Sequence, residues 1–488
     1  MARDSKAALV ALNRFGYGAR GGAAGDLLSA ASDPRGFVKA DLARPAGALL
    51  ELPGLDTTPA LADALFAYQD EVKRQREADA MAAKIDSSPA PQPNMAAPDK
   101  AMPANAPAMA PKEPPKPPNV VQKTYRNEAL ARFQRAASVE VGLTERLVAF
   151  WSNHFCVSAN KGEPARMWAG AFEREAIRPH VLGRFGEMLR AAEQHPAMLF
   201  FLDNNQSIGP NSRAGQNGKR GLNENLAREI MELHTLGVGG GYTQTDVTTL
   251  AAIITGWTFA GRDGRLGTPG TFVFNANAHQ PGSQTLLGKT YLDSGVTQGE
   301  AALADIAHHP STAKFIATKL ARHFVADDPP PALVARLADT FRRTDGDLRA
   351  VTLALIDSDE AWQTPLAKMR SPYEFFIASS RLLGRVPEDP NAILGGMNTL
   401  GEPLWTPAGP NGFPDTVAAW AAPEGMKLRL DLSSQLASRL GDRFDAVELL
   451  DTIAGEAAAP ETRQTLARAE TRQQAMALLL MSPEFQRR

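Results

Sequence analysis

The residues best suited to chemistry lie between Asn223 and Trp257, in NENLAREIMELHTLGVGGGYTQTDVTTLAAIITGW. At about 100° per residue, Leu222, Leu226, Ile230, Leu233 and Leu236 share one helix face. Glu229 falls in the middle of that face, Asn225 and Glu232 flank it, and Arg228 lies a little further round. A carboxylate in an apolar setting is costly unless it is paired, hydrogen-bonded or bound to a metal. The pattern therefore predicts a polar constellation inside the fold. Glu229 is its ligand or general base, Glu232, Asn225 and His154 complete the set, and Arg228 neutralises charge or holds an anionic substrate. Asn223, Asn225, Trp257 and His234 are the candidates for substrate contact. The competing reading makes Glu229 a packing lock paired with an arginine, and His234 a helix-end residue facing the dipole.

Other candidates are dispersed: His154 in WSNHF, Asp203 in FFLDNN, Asp246 and His279. Oxygen and imidazole donors without sulfur suit Mg, Mn, Ca or Fe(II). Glu229, Asp203 and His279 are the metal ligands this reading selects if the fold brings them together. Two carboxylates and a histidine also suffice for general acid–base chemistry. Familiar catalytic signatures are missing. There is no HExxH helix and no GxSxG elbow, GQNGKR lacks the phosphate-loop spacing, and GVGGGY follows a helix rather than a strand. The one cysteine, Cys156, excludes an internal disulfide and reads as an inert buried thiol.

The elements that must position these residues are mainly α-helical, a multi-helical array with one small β-hairpin insertion near 271–291. Residues 1–86 form an N-terminal helical part, with Pro59 just inside the start of a long helix. Residues 87–119 are a Pro/Ala/Met-rich, disordered insertion. Its Met95, Met102 and Met109 recur every seven residues, but the prolines prevent a continuous methionine face. Residues 120–260 make a central core carrying the signature helix, with Thr144 expected to cap a helix running through ERLVAFWSNHF. Gly237 suits the position after the signature helix, and Thr243 with Asp246 forms a capping box. Residues 261–298 are loop and hairpin, with a strand from Thr271 to Phe274 and a turn at Pro281-Gly282. Residues 299–488 are helical again, with Ser311 or Thr312 as a cap. LALIDSDEAWQ (353–363) and ALLLMSPEFQ (477–486) echo each other as helix ends that dock an aromatic. Between them, residues 401–420 form a Pro/Gly/Trp-rich loop too long for a plain connector, hence functional or tightly packed.

The chain has 488 residues, with 52 basic and 54 acidic, a net charge of −2, 43% hydrophobic and 22% charged content. That balance gives no global case for binding nucleic acid or a membrane surface. No stretch offers the uninterrupted apolar length of a transmembrane helix, and the N-terminal residues do not read as a secretory signal. The expectation is a cytoplasmic soluble protein, or a periplasmic one exported as a passenger on a partner.

LNRFGYG, WSNHF, PAMLFFLDN, the Asn223–Trp257 block, HPSTAKFIATKLARHFV and the closing MSPEFQ resemble the bacterial family called domain of unknown function 1800. The resemblance covers nearly the whole chain apart from the Pro/Ala insertion. It implies a mostly helical fold and marks Asn223, Glu224, Asn225, Arg228, Glu229, Glu232 and His234 as the family-defining patch, without giving any of them a role. It also implies a partner from the phosphatase- or sulfatase-like domain of unknown function 1501 family. Two readings are open. One is a metal-assisted hydrolase or oxidoreductase using Asn225, Arg228, Glu229 and Glu232. The other is a non-catalytic helical scaffold or maturation partner.

Overall fold

Apolar residues recur at helical spacing through most of the chain, and the computed structural model turns almost all of these stretches into helices. It describes residues 4–22, 25–44, 47–86, 119–218 and 221–488. The Pro/Ala/Met-rich stretch with Met95, Met102 and Met109 lies outside them. Among the described residues the fold is mainly α, with four short strands. No helix among the described residues is long and apolar enough to cross a membrane.

The strand expected at Thr271–Phe274 forms, but its partner lies upstream. β1 (Trp257–Phe259) pairs antiparallel with β2 (Phe272–Phe274), Trp257 opposite Phe274. β3 (Gln284–Leu286) and β4 (Lys289–Tyr291) make a separate hairpin. Its two-residue turn is Leu287-Gly288, both at positive φ, the conformation that matches strand twist. Leu287 N–H donates to Asp246 Oδ1 at 2.9 Å. Asp246 therefore closes the expected capping box with Thr243 and also ties the hairpin to the helix Gln244–Ile253.

Two caps differ from those expected. The helix Leu143–His154 starts after Gly142, and the Thr144 N–H donates to Asp41 Oδ2 at 2.8 Å instead of Thr144 acting as the cap. The helix Pro310–Phe324 is capped by the His309 ring, which accepts from Ser311 N–H, while Thr312 Oγ1 donates to the Ile306 carbonyl. Ala313, Ile316, Ala317, Leu320, Ala321 and Phe324 form this helix's buried stripe. The stripe leaves Lys319 and His323, one turn apart, on its flank.

The signature helix is not one regular helix. Asn225–Glu229 is α, and Ile230–Thr235 is π. The wider turn, bonded i to i+5, rotates the residues beyond it about the helix axis. The buried stripe is Leu226, Ala227, Ile230, Met231, His234 and Thr235. Glu229 and Leu233, expected on the apolar face, are only half-buried. Gly237 ends the helix at φ +81°, and a Cβ there would stand 2.8 Å from the Phe315 ring. Two other α-helices pass into a π turn, at Ala11–Phe15 and Glu173–Ile177. Each of the three carries buried polar residues: Asn13 and Arg14, Glu173, and His234.

Candidate functional site

The family-marking patch does not converge on one centre. Asn223 organises the helix start, its Oδ1 accepting from Asn225 N–H at 2.9 Å; Asn225 is exposed. Arg228 donates to Glu224 at 2.8 Å, and Glu224 also accepts from Gln244 and Thr248. This polar clamp joins the signature helix to the helix Gln244–Ile253. Glu229 makes no hydrogen bond or ion pair among the described residues, and partial burial pushes its carboxyl up. Glu232 is half-buried beside Tyr242 and Glu229. Trp257 is fully buried in β1, where it packs against Gly299.

The residues selected as metal ligands lie apart. Asp203 holds Lys161 at 2.6 Å. His279 places Nδ1 3.0 Å from the Thr255 carbonyl. Neither shares a contact with Glu229, and among the described residues no three His, Cys, Asp or Glu side chains meet in a group that can hold a metal ion. Asp203 and His279 are engaged by their own local neighbours, so spacing along the chain did not translate into a shell.

His234 and His154 are brought together. His234 Nδ1 lies 2.7 Å from Glu193 Oε1, with both side chains essentially inaccessible. His154 Nε2 lies 3.0 Å from the His234 carbonyl, so it carries the proton and Nδ1 keeps an unpartnered lone pair. Burial keeps His154 neutral by lowering its pKa well below the usual value. Through this contact the signature helix braces WSNHF, and His154 in turn lines a cavity.

That cavity has a volume of about 300 Å³. WSNHF supplies Ser152, Asn153 and His154, followed by Cys156. The helix Pro310–Phe324 supplies Lys319, Arg322 and His323. The helix Pro372–Leu382 and its cap supply Glu374, Tyr373 and Ser371. The roof is the long loop, from Glu402 and Trp405 to Asp415 and Trp420. Asn153 pins that roof by a reciprocal pair, donating to the Phe413 carbonyl at 3.0 Å and accepting from Phe413 N–H at 2.8 Å. Gly412 packs on Asn153 at φ +74°, where a Cβ would come within 2.5 Å of the Asn153 carbonyl. Ser158, Tyr125 and Ala159 hold the Pro407, Leu404 and Trp405 carbonyls.

One wall is a buried ionic network. Glu374 meets Arg146 at 3.0 Å and Arg488 at 2.7 Å. Asp415 meets His323 at 2.7 Å, Arg488 at 3.1 Å and Lys368 at 3.2 Å. Burial opposes these carboxylates, but the surrounding cations win. Glu374 falls to about 2, and Asp415 lies well below its ordinary range. Burial, with Arg488 and Arg146 nearby, lowers His323 to about 4. Neutral His323 gives its Nδ1 proton to Asp415 and accepts from Arg146 Nη2 at 3.3 Å. Both ring nitrogens are therefore engaged, so His323 is a poor candidate for a free base.

Lys319 and Glu402 behave differently. Lys319 enters no hydrogen bond or ion pair among the described residues; its ammonium lies 5.6 Å from the Phe315 ring centroid. Burial brings it down to about 8. Burial pushes Glu402 up to about 7, even though its carboxylate accepts from Tyr373 N–H at 2.7 Å. Burial also raises the Cys156 thiol to about 12, and its Sγ points at the Pro410 carbonyl 3.3 Å away. That agrees with an inert thiol.

Sequence reasoning did not single out Lys319, Glu402, Asp415, Glu374 or Glu193. Two signals were available. SPYE at 371–374 is a capping box that marks Glu374, and the length of the 401–420 loop pointed to a functional or tightly packed segment.

A family model described as protein of unknown function (DUF1800) matches residues 10–487. No curated protein and no solved structure matches the chain.

Proposed function

We propose that this chain, which belongs to the DUF1800 family, is an enzyme that transforms a small polar molecule by general acid–base chemistry in the roofed cavity, with Lys319 and Glu402 as its proton carriers. One observation carries this reading. Two groups of opposite type line one small cavity, and burial moves both toward neutrality, Lys319 to about 8 and Glu402 to about 7. Proton transfer is most effective near the working pH, and such displaced pairs mark acid and base assignments. A cavity of this volume is at the small end of ligand sites.

The surrounding residues suit support roles. The Glu374–Arg146–Arg488–Asp415 network fixes one wall, and Asn153 fixes the roof. His154, backed by His234 and Glu193, sets the position of WSNHF. The metal-assisted reading built on Asn225, Arg228, Glu229 and Glu232 gives way to this one, because none of those four lines the cavity.

The test is a thermal-shift screen of small oxo, hydroxy and amino acids. A ligand at 100 times its Kd stabilises by about 2.7 kcal/mol. The expected result is stabilisation of the wild type that is lost in Glu402→Gln. A screen that stabilises neither protein, or both equally, overturns the reading.

A further inference from the structure

We propose that Lys319 is a covalent amine that captures a small aldehyde or ketone as an imine. The inference rests on the cavity being the working site. A lysine kept for structure is held by a carboxylate, yet the carboxylates of this wall are already taken. Glu374 serves Arg146 and Arg488, and Asp415 serves His323, Lys368 and Arg488. Lys319 lines the cavity with no ion pair of its own, over the Phe315 ring and near the neutral Cys156 thiol, and Asp415 attracts it only from beyond contact. An unpaired charge in such a place costs stability. Discharging the amine relieves that cost and frees the nucleophilic lone pair. Lys319 at about 8 leaves about one amine in ten free near pH 7, against fewer than about one in a thousand for an ordinary lysine.

The step balances without an oxidant or reductant. The Nζ lone pair of neutral Lys319 attacks the carbonyl carbon, and the C=O π pair moves to oxygen, which takes a proton. Nitrogen loses a proton, giving a carbinolamine. The C–O bond then breaks, oxygen leaves as water with a second proton, and the nitrogen lone pair closes the C=N bond to give the protonated imine, whose remaining N–H proton is returned to the carboxylate that supplied the second one when the neutral imine forms. Glu402 in the same cavity, poised near 7, is the group able to give and take these protons.

The experiment treats the whole protein with 2,4-pentanedione, which forms a stable enaminone with an imine-forming lysine, and in parallel with pyruvate plus borohydride. Intact mass and peptide mapping locate the adduct. The expected result is modification of Lys319 about tenfold or more above the exposed Lys314, the enaminone absorption, and loss of both in Lys319→Arg. Lys319→Met, chosen to keep the stem's packing, serves as the second variant if the arginine fails to fold. No excess at Lys319, or the same adducts in wild type and variant, overturns the covalent inference. If pyruvate still raises the melting temperature of the wild type and that shift is lost in Glu402→Gln, the covalent inference alone fails and the cavity reading stands. If no small oxo, hydroxy or amino acid produces such a shift and no adduct forms, both fall.

Discussion

Replacing Lys319 by methionine tests whether this lysine is held for stability or against it. Lowering its pKa from 10.5 to about 8 corresponds to roughly 3 kcal/mol of disfavour for the charged form. The cavity is large enough to admit water, which screens part of this, so about 1–2 kcal/mol is the working figure. The sign is set by linkage. A group whose folded pKa is depressed contributes stability above its unfolded pKa and loses it as pH falls through the folded value. For Lys319 that window runs from 10.5 down to about 8. Near pH 7 the wild type bears the full cost. Lys319→Met, which preserves most of the stem's packing, should therefore be more stable there. The gain should shrink as pH approaches about 10. For a chain of 488 residues, unfolding entropy is roughly 1 kcal/mol per degree, so the melting temperature should rise by about 1–2 °C near pH 7. Paired thermal melts of wild type and variant at neutral and alkaline pH measure this. A variant less stable by more than about 1 kcal/mol near pH 7, or a difference independent of pH, would mean that the ammonium has a stabilising partner, and the reasoning fails. A stabilising substitution that removes function is the familiar trade at working sites.

Neighbouring contacts set other outcomes. Glu193→Ala leaves the His234 ring without its hydrogen-bond partner in a site with no access to water and should cost about 1–3 kcal/mol in chemical denaturation, whereas Glu229→Gln, which breaks no partner, should change stability by less than about 1 kcal/mol. Equal losses in the two variants would contradict the placement of the buried pair. Gly237→Ala, at positive φ and against the Phe315 ring, should cost about 1–3 kcal/mol, read from the same curves. Asn153→Ala removes both bonds that pin the roof and should speed limited proteolysis within 401–420; an unchanged cleavage pattern would show that the roof is held elsewhere. His323, depressed from 6.5 to about 4, contributes stability that is lost as pH falls between those values, so His323→Gln should flatten the acid limb of the stability profile.

Helix content was legible in the sequence because apolar residues repeat at helical spacing over long stretches, and that repeat depends only on neighbours three and four residues away. Local backbone chemistry was legible for the same reason. Gly237 sits at the required positive φ, and Thr243 with Asp246 closes its box within three residues. The family itself was legible, since its residues are a matter of order along the chain. The working site was not. A regular 100° wheel put Glu229 inside, but packing buries the neighbouring face, already Leu226 and Ala227 in the α segment, and the π turn at Ile230–Thr235 keeps Met231 and His234 on it. A single widened turn leaves no strong mark in local composition. The cavity joins Asn153 to Phe413 and His323 to Asp415, 260 and 92 residues apart. Such pairings depend on how distant helices pack, and each closes its loop at an entropic cost that local propensity does not encode. Electrostatics was decided in the same way. Lys319 and Asp415 are ordinary side chains in the sequence. Their opposite fates, one with no ion pair and one surrounded by cations, come from the water and charges that only the folded chain places around them.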